Sequence, residues 1–347
     1  MRVALVDGDA IVYRAGFASE HRTWKLILGD IEKEFSSKKE LNVALEELPS
    51  PDTPHIIKSV LDVEPLGHCL QTVKMMLNEI EEKTRCDLVR IYLSGTKSFR
   101  EDLCTILPYK ANRWSHERME GERDGKWAAW LKENEHKLAA QPKPRLYGEI
   151  RKYLQEVHGA TIPDNNLEAD DALSIEAFRV MELGDTPIIA THDKDLDMIP
   201  CEHFMVHSKE QYHVMEEDAI GLFFKQCLTG DATDNIPGIK GVGPVTADKI
   251  LATCSLPQEY YEKCLAAWSD YLGQVGEGSF FGPDPVTTLH EIASLLWMSR
   301  DKDMTPWHKA LEVSLYTTAP AKMSAGLIWS DKGKVKIDDK RINALGV

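Results

Sequence analysis

The chain of 347 residues lacks several features that would assign it at once to a class of protein. It has no run of about 18 apolar residues, so no membrane-spanning helix is expected. Its seven cysteines include no C-x-x-C pair, which favours free thiols over a zinc site or a disulfide framework. It also lacks a positive charge excess: 41 basic residues face 56 acidic ones, a net charge of −15. Nonspecific attraction to nucleic acid by bulk charge is therefore excluded.

What remains is the composition of an ordinary globular protein. Hydrophobic residues make up 43% and charged residues 28% of the chain, which suffices for a sizeable core. At roughly 100–200 residues per domain, the length corresponds to two domains or one large one. The apolar N-terminal stretch reaches Asp7 too early for a secretory signal. Residues 97–152 carry 13 Lys and Arg against 9 Asp and Glu, so a local basic surface remains open.

Apolar patterning predicts strands that alternate with helices. Buried strands are predicted at 2–6, 87–93 and 187–193, with a hairpin at 203–208 and 211–215. Helices are predicted at 66–83, at 146–157 before Gly159, from 167 to Gly184, and through most of the chain beyond about 217. This alternation predicts an α/β fold with a central, mainly parallel sheet flanked by helices. Sites in such sheets form at the carboxyl ends of the strands.

Three carboxylates are crowded into "LEADDAL", residues 167–173: Glu168, Asp170 and Asp171. Acids in the first turn of a helix complement its dipole by about 0.3–1 kcal/mol each. Alternatively, they bind Mg²⁺, which takes oxygen ligands. Glu168 and Asp171 share a helical face while Asp170 lies farther round, so one ion cannot be held by all three from one face. Either they straddle two ions or Glu168 precedes the first turn.

Acid pairs recur where predicted strands end. Asp7 and Asp9 follow the first strand, and in an extended chain residues two apart point to the same side, so the pair can converge. Asp193, Asp195 and Asp197 follow the third strand in the same manner. Two Mg²⁺ ions roughly 4 Å apart carry out in-line displacement at phosphorus, and such a site needs many carboxylates.

A further acidic element, "GDATDN", places Asp231 and Asp234 in a loop between helices, where a capping turn is the alternative explanation. Nine carboxylates are thus candidate metal ligands: Asp7, Asp9, Glu168, Asp170, Asp171, Asp193, Asp195, Asp231 and Asp234.

Two stretches are candidates for binding DNA. In "NIPGIKGVGPVTADKIL", residues 235–251, a glycine loop precedes a helix, which suits a phosphate, although a structural turn is the alternative. In "FREDLCTILPYKANR", residues 99–113, an aromatic beside cations can stack a base while the cations hold phosphates. The candidate DNA-binding residues are Arg100, Tyr109, Lys110, Arg113, Gly238, Lys240, Gly241, Gly243, Thr246 and Lys249.

Taken together, these motifs resemble the flap-endonuclease superfamily of 5′-nucleases. The matching stretches are "VDGD", "SFRE", "YKANR", "LEADDAL", "THDKDL" and "GDATDNIPGIKGVGPVTA", in the family's order. In style they are most similar to bacteriophage 5′–3′ exonucleases and the 5′-nuclease domain of bacterial DNA polymerase I. The resemblance implies a PIN/FEN-like sheet with a helical arch, and two-metal hydrolysis of phosphodiester bonds at DNA 5′ ends or flaps with Mg²⁺ or Mn²⁺.

The resemblance also implies roles for single residues. The first metal region would use Asp7, Glu168, Asp170 and Asp171, and the second Asp195, Asp231 and Asp234, with Asp193 between them and Asp9 less defined. The catalytic set would comprise Lys110 at the scissile phosphate, Arg113 nearby, Asp171 and Asp193. The glycine loop would belong to a helix–three-turn–helix element that binds duplex DNA and K⁺.

A division of the chain follows from the same resemblance. It comprises a catalytic domain at 1–216 with an arch at about 97–145, a helical DNA-binding region at 217–301, and a C-terminal extension at 302–347. The expected partner is DNA with a free 5′ end or 5′ flap, with an RNA–DNA hybrid left open. We expect a monomeric, stand-alone nuclease without a membrane partner, in the cytoplasm of a bacterial host if it is phage-encoded.

One position departs from the family pattern. Where the family usually has an aspartate after the second strand, this chain has Ser94 or Gly95, so one metal ligand has no counterpart. That departure favours one alternative, a nuclease-derived protein that binds DNA without cutting it. A phosphatase of the haloacid-dehalogenase type is the other alternative, because it too has D-x-D after its first strand. Two residues beyond this pair such phosphatases usually have Thr or Val, but this chain has Ile11. They also do not need the glycine loop.

Overall fold

The computed structural model describes residues 1–50, 53–138, 142–275 and 284–315. Its strands are β1 (Arg2–Asp7), β2 (Glu20–Leu28), β3 (Ile31–Phe35), β4 (Ile56–Val63), β5 (Leu88–Tyr92), β6 (Thr186–Thr191), β7 (Glu202–Met205) and β8 (Gln211–His213). Its α-helices are α1 (Gly8–Ala18), α2 (Lys38–Glu46), α3 (Leu66–Thr84), α4 (Arg100–Leu103), α5 (His116–Gly121), α6 (Ala128–Asn134), α7 (Tyr147–His158), α8 (Ala169–Glu182), α9 (Glu216–Thr229), α10 (Pro244–Leu251), α11 (Pro257–Val275), α12 (Pro285–Leu296) and α13 (Trp307–Ala310). Short 3-10 helices span Ala111–Arg113, Glu135–Lys137 and Lys194–Met198.

The main sheet has five strands in the order β5-β1-β6-β7-β8. β1 is parallel to both β5 and β6, β7 is parallel to β6, and only the edge strand β8 is antiparallel. Val3–Val6 are almost completely buried, as expected for a parallel strand covered on both faces. The predicted α/β fold with a mainly parallel sheet is confirmed. Because Val6 pairs with Ala190, β1 and β6 end side by side, and Asp7 and His192 lie at one edge.

Helices cover both faces of this sheet. α1, α3 and α7 pack on one face through Ile11, Val73 and Leu154, while α8 packs on the other through Leu173. A second large core joins α9–α13 to residues 104–109, and Trp307 within it is 1% exposed. No helix among the described residues is long and apolar enough to cross a membrane.

The predicted elements that were long or strongly periodic are confirmed. The helices expected at 66–83 and 146–157 are α3 and α7, and Gly159 ends α7 with a φ of +67°. The helix expected from 167 to Gly184 is α8, and the expected hairpin is β7 and β8. The domain boundaries at 216 and 301 stay a prediction, and most of the expected extension, residues 316–347, lies outside the described residues.

One local expectation needs correction, and one stretch without a prediction has a defined structure. Asp7 and Asp9 do not share an extended segment, because Asp7 caps α1 by accepting a 3.1 Å hydrogen bond from the Ala10 N–H, and Asp9 lies in the first helical turn. Residues 20–64, which gave no clear sequence signal, form an antiparallel sheet in the order β3-β2-β4 with α2 beside it. Leu26, Phe35 and Leu41 form its small core.

Gly238 provides a stability prediction for the loop between α9 and α10. A Cβ on Gly238 would lie 2.1 Å from the backbone carbon and oxygen of Thr229. Because these are backbone atoms, the clash cannot be relieved by rotating a side chain. We expect Gly238→Ala to lower the free energy of unfolding by about 2–4 kcal/mol, measured by urea denaturation. Gly148→Ala is the control, because its Cβ meets no atom within 4 Å and the residue lies in α7. Equal stability of the two variants would contradict the packing argument.

Candidate active site

A pocket opens at the carboxyl ends of β1 and β6. Its wall carries six carboxylates from three separate sequence motifs: Glu168, Asp170, Asp193, Asp195, Asp231 and Asp234. Lys110 and Arg113 line the same pocket, together with the ends of α9 and α12. The structure therefore brings most of the candidate acids and two candidate cations, predicted from separate motifs, into one cavity.

Asp193 and Asp195 reach the pocket from the turn after β6. Asp193 caps the 3-10 helix by accepting a 2.9 Å hydrogen bond from the Asp195 N–H, and Asp195 accepts a 2.6 Å bond from Gln226 Nε2 on α9. Asp197 turns away and accepts a 2.6 Å bond from the Tyr212 hydroxyl. Burial, then the charges of Asp193 and Asp231, raise the pKa of Asp195 to about 6.

Glu168 lies immediately before α8, as one of the two sequence alternatives required. Its carboxylate accepts hydrogen bonds from the Tyr109 hydroxyl at 2.8 Å, from Arg100 Nη1 at 3.1 Å, and from Lys110 Nζ. Burial alone would raise the pKa of Glu168, but Arg100 and Lys110 lower it to about 2. Glu168 is therefore an anion whose charge is already balanced by the chain itself.

Asp171, expected to be a metal ligand and a catalytic residue, lies apart from the pocket lining, and that role stays a prediction. It is fully buried and does not line the pocket. Both of its oxygens accept hydrogen bonds from the Arg100 guanidinium, at 2.6 and 2.9 Å. The N–H of Ser299 adds a 3.3 Å contact. The motif identifies the aspartate but does not show that Arg100 pairs with it.

Arg100 and Tyr109, both predicted to contact DNA, line the pocket but are only 3% exposed, and their contact with DNA stays a prediction. The Tyr109 hydroxyl bridges Glu168 and Asp234 at 2.8 and 2.9 Å. Both side chains hold the acidic residues in place from behind.

Asp7 and Asp170 form the uncompensated part of the cluster. Asp170 makes no hydrogen bond or ion pair with any residue that the structure describes, and burial, then Asp7, raise its pKa well above the usual range. Asp7 accepts a 2.9 Å bond from the Thr191 hydroxyl, yet burial and the Asp9 charge raise its pKa to about 6. A cation placed between these carboxylates would remove this repulsion.

The loop at 231–236 closes the pocket opposite the sheet. Its ends are joined by hydrogen bonds between the backbones of Asp231 and Ile236, at 2.9 and 2.7 Å. Asp234 pairs with Arg113 at 2.8 Å and Lys110 at 3.5 Å. The backbone N–H of Lys110 also donates to the Asp234 carbonyl at 2.8 Å. Side chains and backbone therefore bind the Lys110 segment to this loop.

Asp9 lies beside the pocket in a different network. Its carboxylate accepts 2.6 Å and 2.8 Å hydrogen bonds from Arg151 Nη1 and the Ser94 N–H. Arg151 also donates to the Ser94 carbonyl at 2.7 Å. Both oxygens of Asp9 are thus engaged in this structure, and its expected role as a metal ligand stays a prediction.

The glycine loop leads into α10, whose N-cap is Gly243 and whose first residue is Pro244. Gly241 has a φ of +88°, which only glycine adopts without strain. Gly238 packs against Thr229, which explains this glycine without a ligand. The remaining candidates for DNA binding here are exposed: Lys240, Gly241, Gly243, Thr246 and Lys249.

Curated proteins with similar sequences act on nucleic acids by name. A flap endonuclease Xni of Shewanella piezotolerans is 29% identical over 143 residues, which are 37% of this chain and 56% of that protein. A 5′–3′ exonuclease of Buchnera aphidicola is 29% identical over 190 residues, 51% of this chain and 56% of that protein. The DNA polymerase I of Deinococcus radiodurans is 30% identical over 158 residues, 42% of this chain and 15% of the polymerase.

The chain is similar in sequence to members of the 5′-nuclease and flap endonuclease family. The matches span about half the length of the first two relatives. No family model matches the chain. Two solved structures, of the T5 D15 protein and of the T5 5′-exonuclease, cover 85% and 84% of this chain with TM-scores of 0.43 and 0.41, at 13% and 16% identity. At these scores they assign no role to any residue.

The donor set of this 5′-nuclease relative suits a hard divalent cation. Only carboxylates line the acidic side of the pocket, and oxygen ligands are those that Mg²⁺ and Mn²⁺ prefer. As the described part of the chain stands, however, no group of three or more Asp, Glu, His or Cys side chains is arranged to hold a metal ion. The chemistry of the residues therefore fits the metal, while Lys110 and Arg113 take up part of the acidic surface.

Sequence reasoning did not find several residues that shape the pocket. Gln226 holds Asp195, Arg151 holds Asp9, and Ser299 contacts Asp171. These partners lie in helices or loops far away in the sequence, without a motif of their own. The sequence indicates such partners only in general terms, because any of these carboxylates could be paired within the protein instead of binding a metal ion.

The raised pKa of Asp195 predicts that a neutral side chain at this position increases the free energy of unfolding, by an amount that depends on pH. Its folded-state pKa of about 6 exceeds the unfolded value, so the stability contributed by the protonated form is lost as pH rises through 6. Without divalent cations, Asp195→Asn should be more stable than the wild type by about 1–2 kcal/mol at pH 8, discounted for partial exposure. At pH 4 to 5 the difference should shrink. Urea unfolding in EDTA measures both values, and a pH-independent difference would contradict the charge explanation.

Proposed function

We propose that this chain is a metal-dependent 5′–3′ exonuclease or flap endonuclease that hydrolyses phosphodiester bonds at DNA 5′ ends. One observation carries the proposal: six carboxylates from three family motifs line one pocket together with Lys110 and Arg113. The named relatives include 5′–3′ exonucleases and flap endonucleases, which supports the same reaction class. The substrate, DNA with a free 5′ end or flap, is part of the proposal.

In this proposal the acidic wall is the metal side of the pocket. Two Mg²⁺ or Mn²⁺ ions, when bound, would supply a water nucleophile and charge stabilisation at the leaving oxygen. The proposed ligands that pair with no basic side chain among the described residues are Asp170, Asp193, Asp195 and Asp231. Glu168 and Asp234 would join them once Lys110 and Arg113 release their carboxylates. Asp7 would join once it releases the Thr191 hydroxyl. Asp171 is not included in this set, because it is fully buried and does not line the pocket.

Lys110 and Arg113 form the proposed phosphate side. The side chains of Lys110 and Arg113 are 22% and 37% exposed, and both pair with acids that a metal ion would also engage. Once a cation neutralises those acids, both basic groups would be free to contact the scissile phosphate. Positive groups aimed at developing negative charge typically contribute about 10²–10³-fold in rate.

Finer features of the fold belong to the same proposal. Residues of the expected arch form the short helices α5 and α6, with Trp114 and Trp130 packed between them. Residues 217–301 would bind duplex DNA, with the exposed glycine loop and the start of α10 against phosphate and K⁺ at the loop carbonyls. Residues 139–141 of the arch and 276–283 of this region lie outside the described residues.

A DNA-binding protein that does not cut remains the second candidate. It is favoured by the pairing of Lys110 and Arg113 with Glu168 and Asp234, which balances charge without metal. Unpaired Asp170, beside Asp7, argues against it, because bare carboxylates near phosphate oppose DNA binding. Cleavage of labelled flap DNA with Mg²⁺ or Mn²⁺ separates the two, since failure with both ions would leave only binding.

Asp193→Asn provides the first test of the metal side. We expect cleavage of a 5′-labelled flap to fall by about 100-fold or more, while DNA affinity measured by fluorescence anisotropy persists. Asp197→Asn is the matched control, because Asp197 lies in the next turn with its carboxylate on Tyr212. Similar losses in both variants would indicate a folding defect in this turn rather than a role in catalysis.

Lys110→Ala tests the phosphate side with two readouts of opposite direction. The single-turnover cleavage rate should fall by about 100-fold, because a cation at the phosphate is lost. Mn²⁺ binding, measured by electron paramagnetic resonance without DNA, should become tighter, because Glu168 loses its cationic competitor. Lys152→Ala on α7 is the control, since Lys152 is exposed and pairs only with Glu156. An unchanged rate would show that Lys110 has no role in the reaction.

A further inference from the structure

Helix α12 contacts both sides of the candidate site without carrying any residue proposed for the chemistry. Its C-terminal residues Leu295 and Leu296 form part of the pocket wall. Two buried charged side chains, Arg100 and Glu291, connect it to the rest of the pocket. Arg100 joins α12 to the acidic residues, and Glu291 joins it to the segment that leads to Lys110.

The Arg100 connection uses every donor of the guanidinium. Nε donates to the Leu295 carbonyl at 2.8 Å, and Nη2 donates to the Trp297 carbonyl at 2.6 Å. The three remaining N–H groups bind Asp171 twice and Glu168 once. Since a guanidinium has five N–H groups, none is left for another partner. The end of α12 and the start of α8 are therefore fixed to one planar group.

The Glu291 connection lies one helical turn earlier on α12. Its carboxylate accepts hydrogen bonds from the backbone N–H of Thr105 at 2.6 Å and of Ile106 at 2.8 Å, and from the Thr105 hydroxyl. Glu291 is 2% exposed, and a buried carboxylate requires such donors. The side chain thus clamps two consecutive backbone amides four to five residues before Lys110.

The segment between this clamp and Lys110 has a second fixed end. The Pro108 carbonyl accepts a 2.8 Å hydrogen bond from Asn235 Nδ2, and the Lys110 N–H donates to Asp234. Residues 105–110 are therefore held between α12 on one side and the 231–236 loop on the other. Lys110 itself adopts a φ of +52°, a backbone state that tolerates little displacement.

We propose that Glu291 is a positioning residue that fixes Lys110 relative to Glu168, acting through residues 105–110 and the α12 end that Arg100 holds. The proposal deepens the nuclease function above and rests on it for its catalytic consequence. The alternative is that Glu291 contributes only to global stability. The two roles can be separated, because a loosened Lys110 would change amide hydrogen exchange near Lys110 and the reaction rate more than it changes DNA affinity.

The test compares Glu291→Gln with Glu259→Gln. Glu259 provides a matched control, because its exposed carboxylate also accepts hydrogen bonds from two consecutive backbone amides, those of Ser255 and Leu256. Hydrogen exchange of peptides covering 104–113 is measured by mass spectrometry on the full chain without metal or DNA. Glu291→Gln should accelerate exchange at Thr105 and Ile106 and also at Lys110, whereas Glu259→Gln should leave this segment unchanged.

Kinetics on flap DNA provide the second readout. We expect Glu291→Gln to lower kcat by about 10- to 100-fold with little change in KM. Faster exchange confined to Thr105 and Ile106, with Lys110 at the wild-type rate and kcat unchanged, would overturn the proposal. If Glu291→Gln does not fold, Thr105→Val removes only the hydroxyl donor and should give the same pattern more weakly. If the wild type does not cleave DNA, the proposed function fails, and exchange at Lys110 alone decides whether the clamp exists.

Discussion

The buried guanidinium of Arg100 is the interaction on which the candidate site depends. It neutralises Asp171, contributes to neutralising Glu168, and holds two carbonyls at the end of α12. Removing one partner of a buried ion pair typically costs about 3–5 kcal/mol, because the remaining charge is left without compensation. The start of α8, the start of the 100–110 segment and the end of α12 are consequently fixed to each other by a single buried side chain.

Charge compensation is uneven across the pocket, and this asymmetry bears on function. Arg100, Lys110 and Arg113 balance Glu168 and Asp234 on one side. On the other side, Asp170 has no such partner among the described residues, and its pKa is raised by burial and by Asp7. A divalent cation would gain most on the uncompensated side, because it removes repulsion there without displacing a basic side chain. The same cation would compete with Lys110 only where Glu168 or Asp234 is involved.

The sequence predicted those parts of the structure that depend on local pattern. Buried apolar runs located β1, β5 and β6, the strand-end rule placed Asp193 and Asp195 at the pocket, and the acidic helix start added Glu168. The sequence could not predict that Arg100 and Tyr109 are buried, because a motif specifies residue type but not which side chain faces solvent. The prediction for the turn after β1 was wrong for a related reason. The pattern D-x-D is compatible with a strand end and with a helix cap, and only the packing of α1 on the sheet decides between them.

Ser94 shows what replaces the acid expected after the second strand. Its hydroxyl accepts a 3.2 Å hydrogen bond from the Ala169 N–H, its own N–H donates to Asp9, and its carbonyl accepts from Arg151. The side chain thus supplies a neutral acceptor to the first turn of α8, where an acid would otherwise stand beside Asp9. Since Asp7 and Asp170 already have raised pKa values, a further carboxylate nearby would add repulsion in the metal-free chain. Serine therefore preserves the orientation of the acidic helix start while reducing both the repulsion and the number of oxygen ligands.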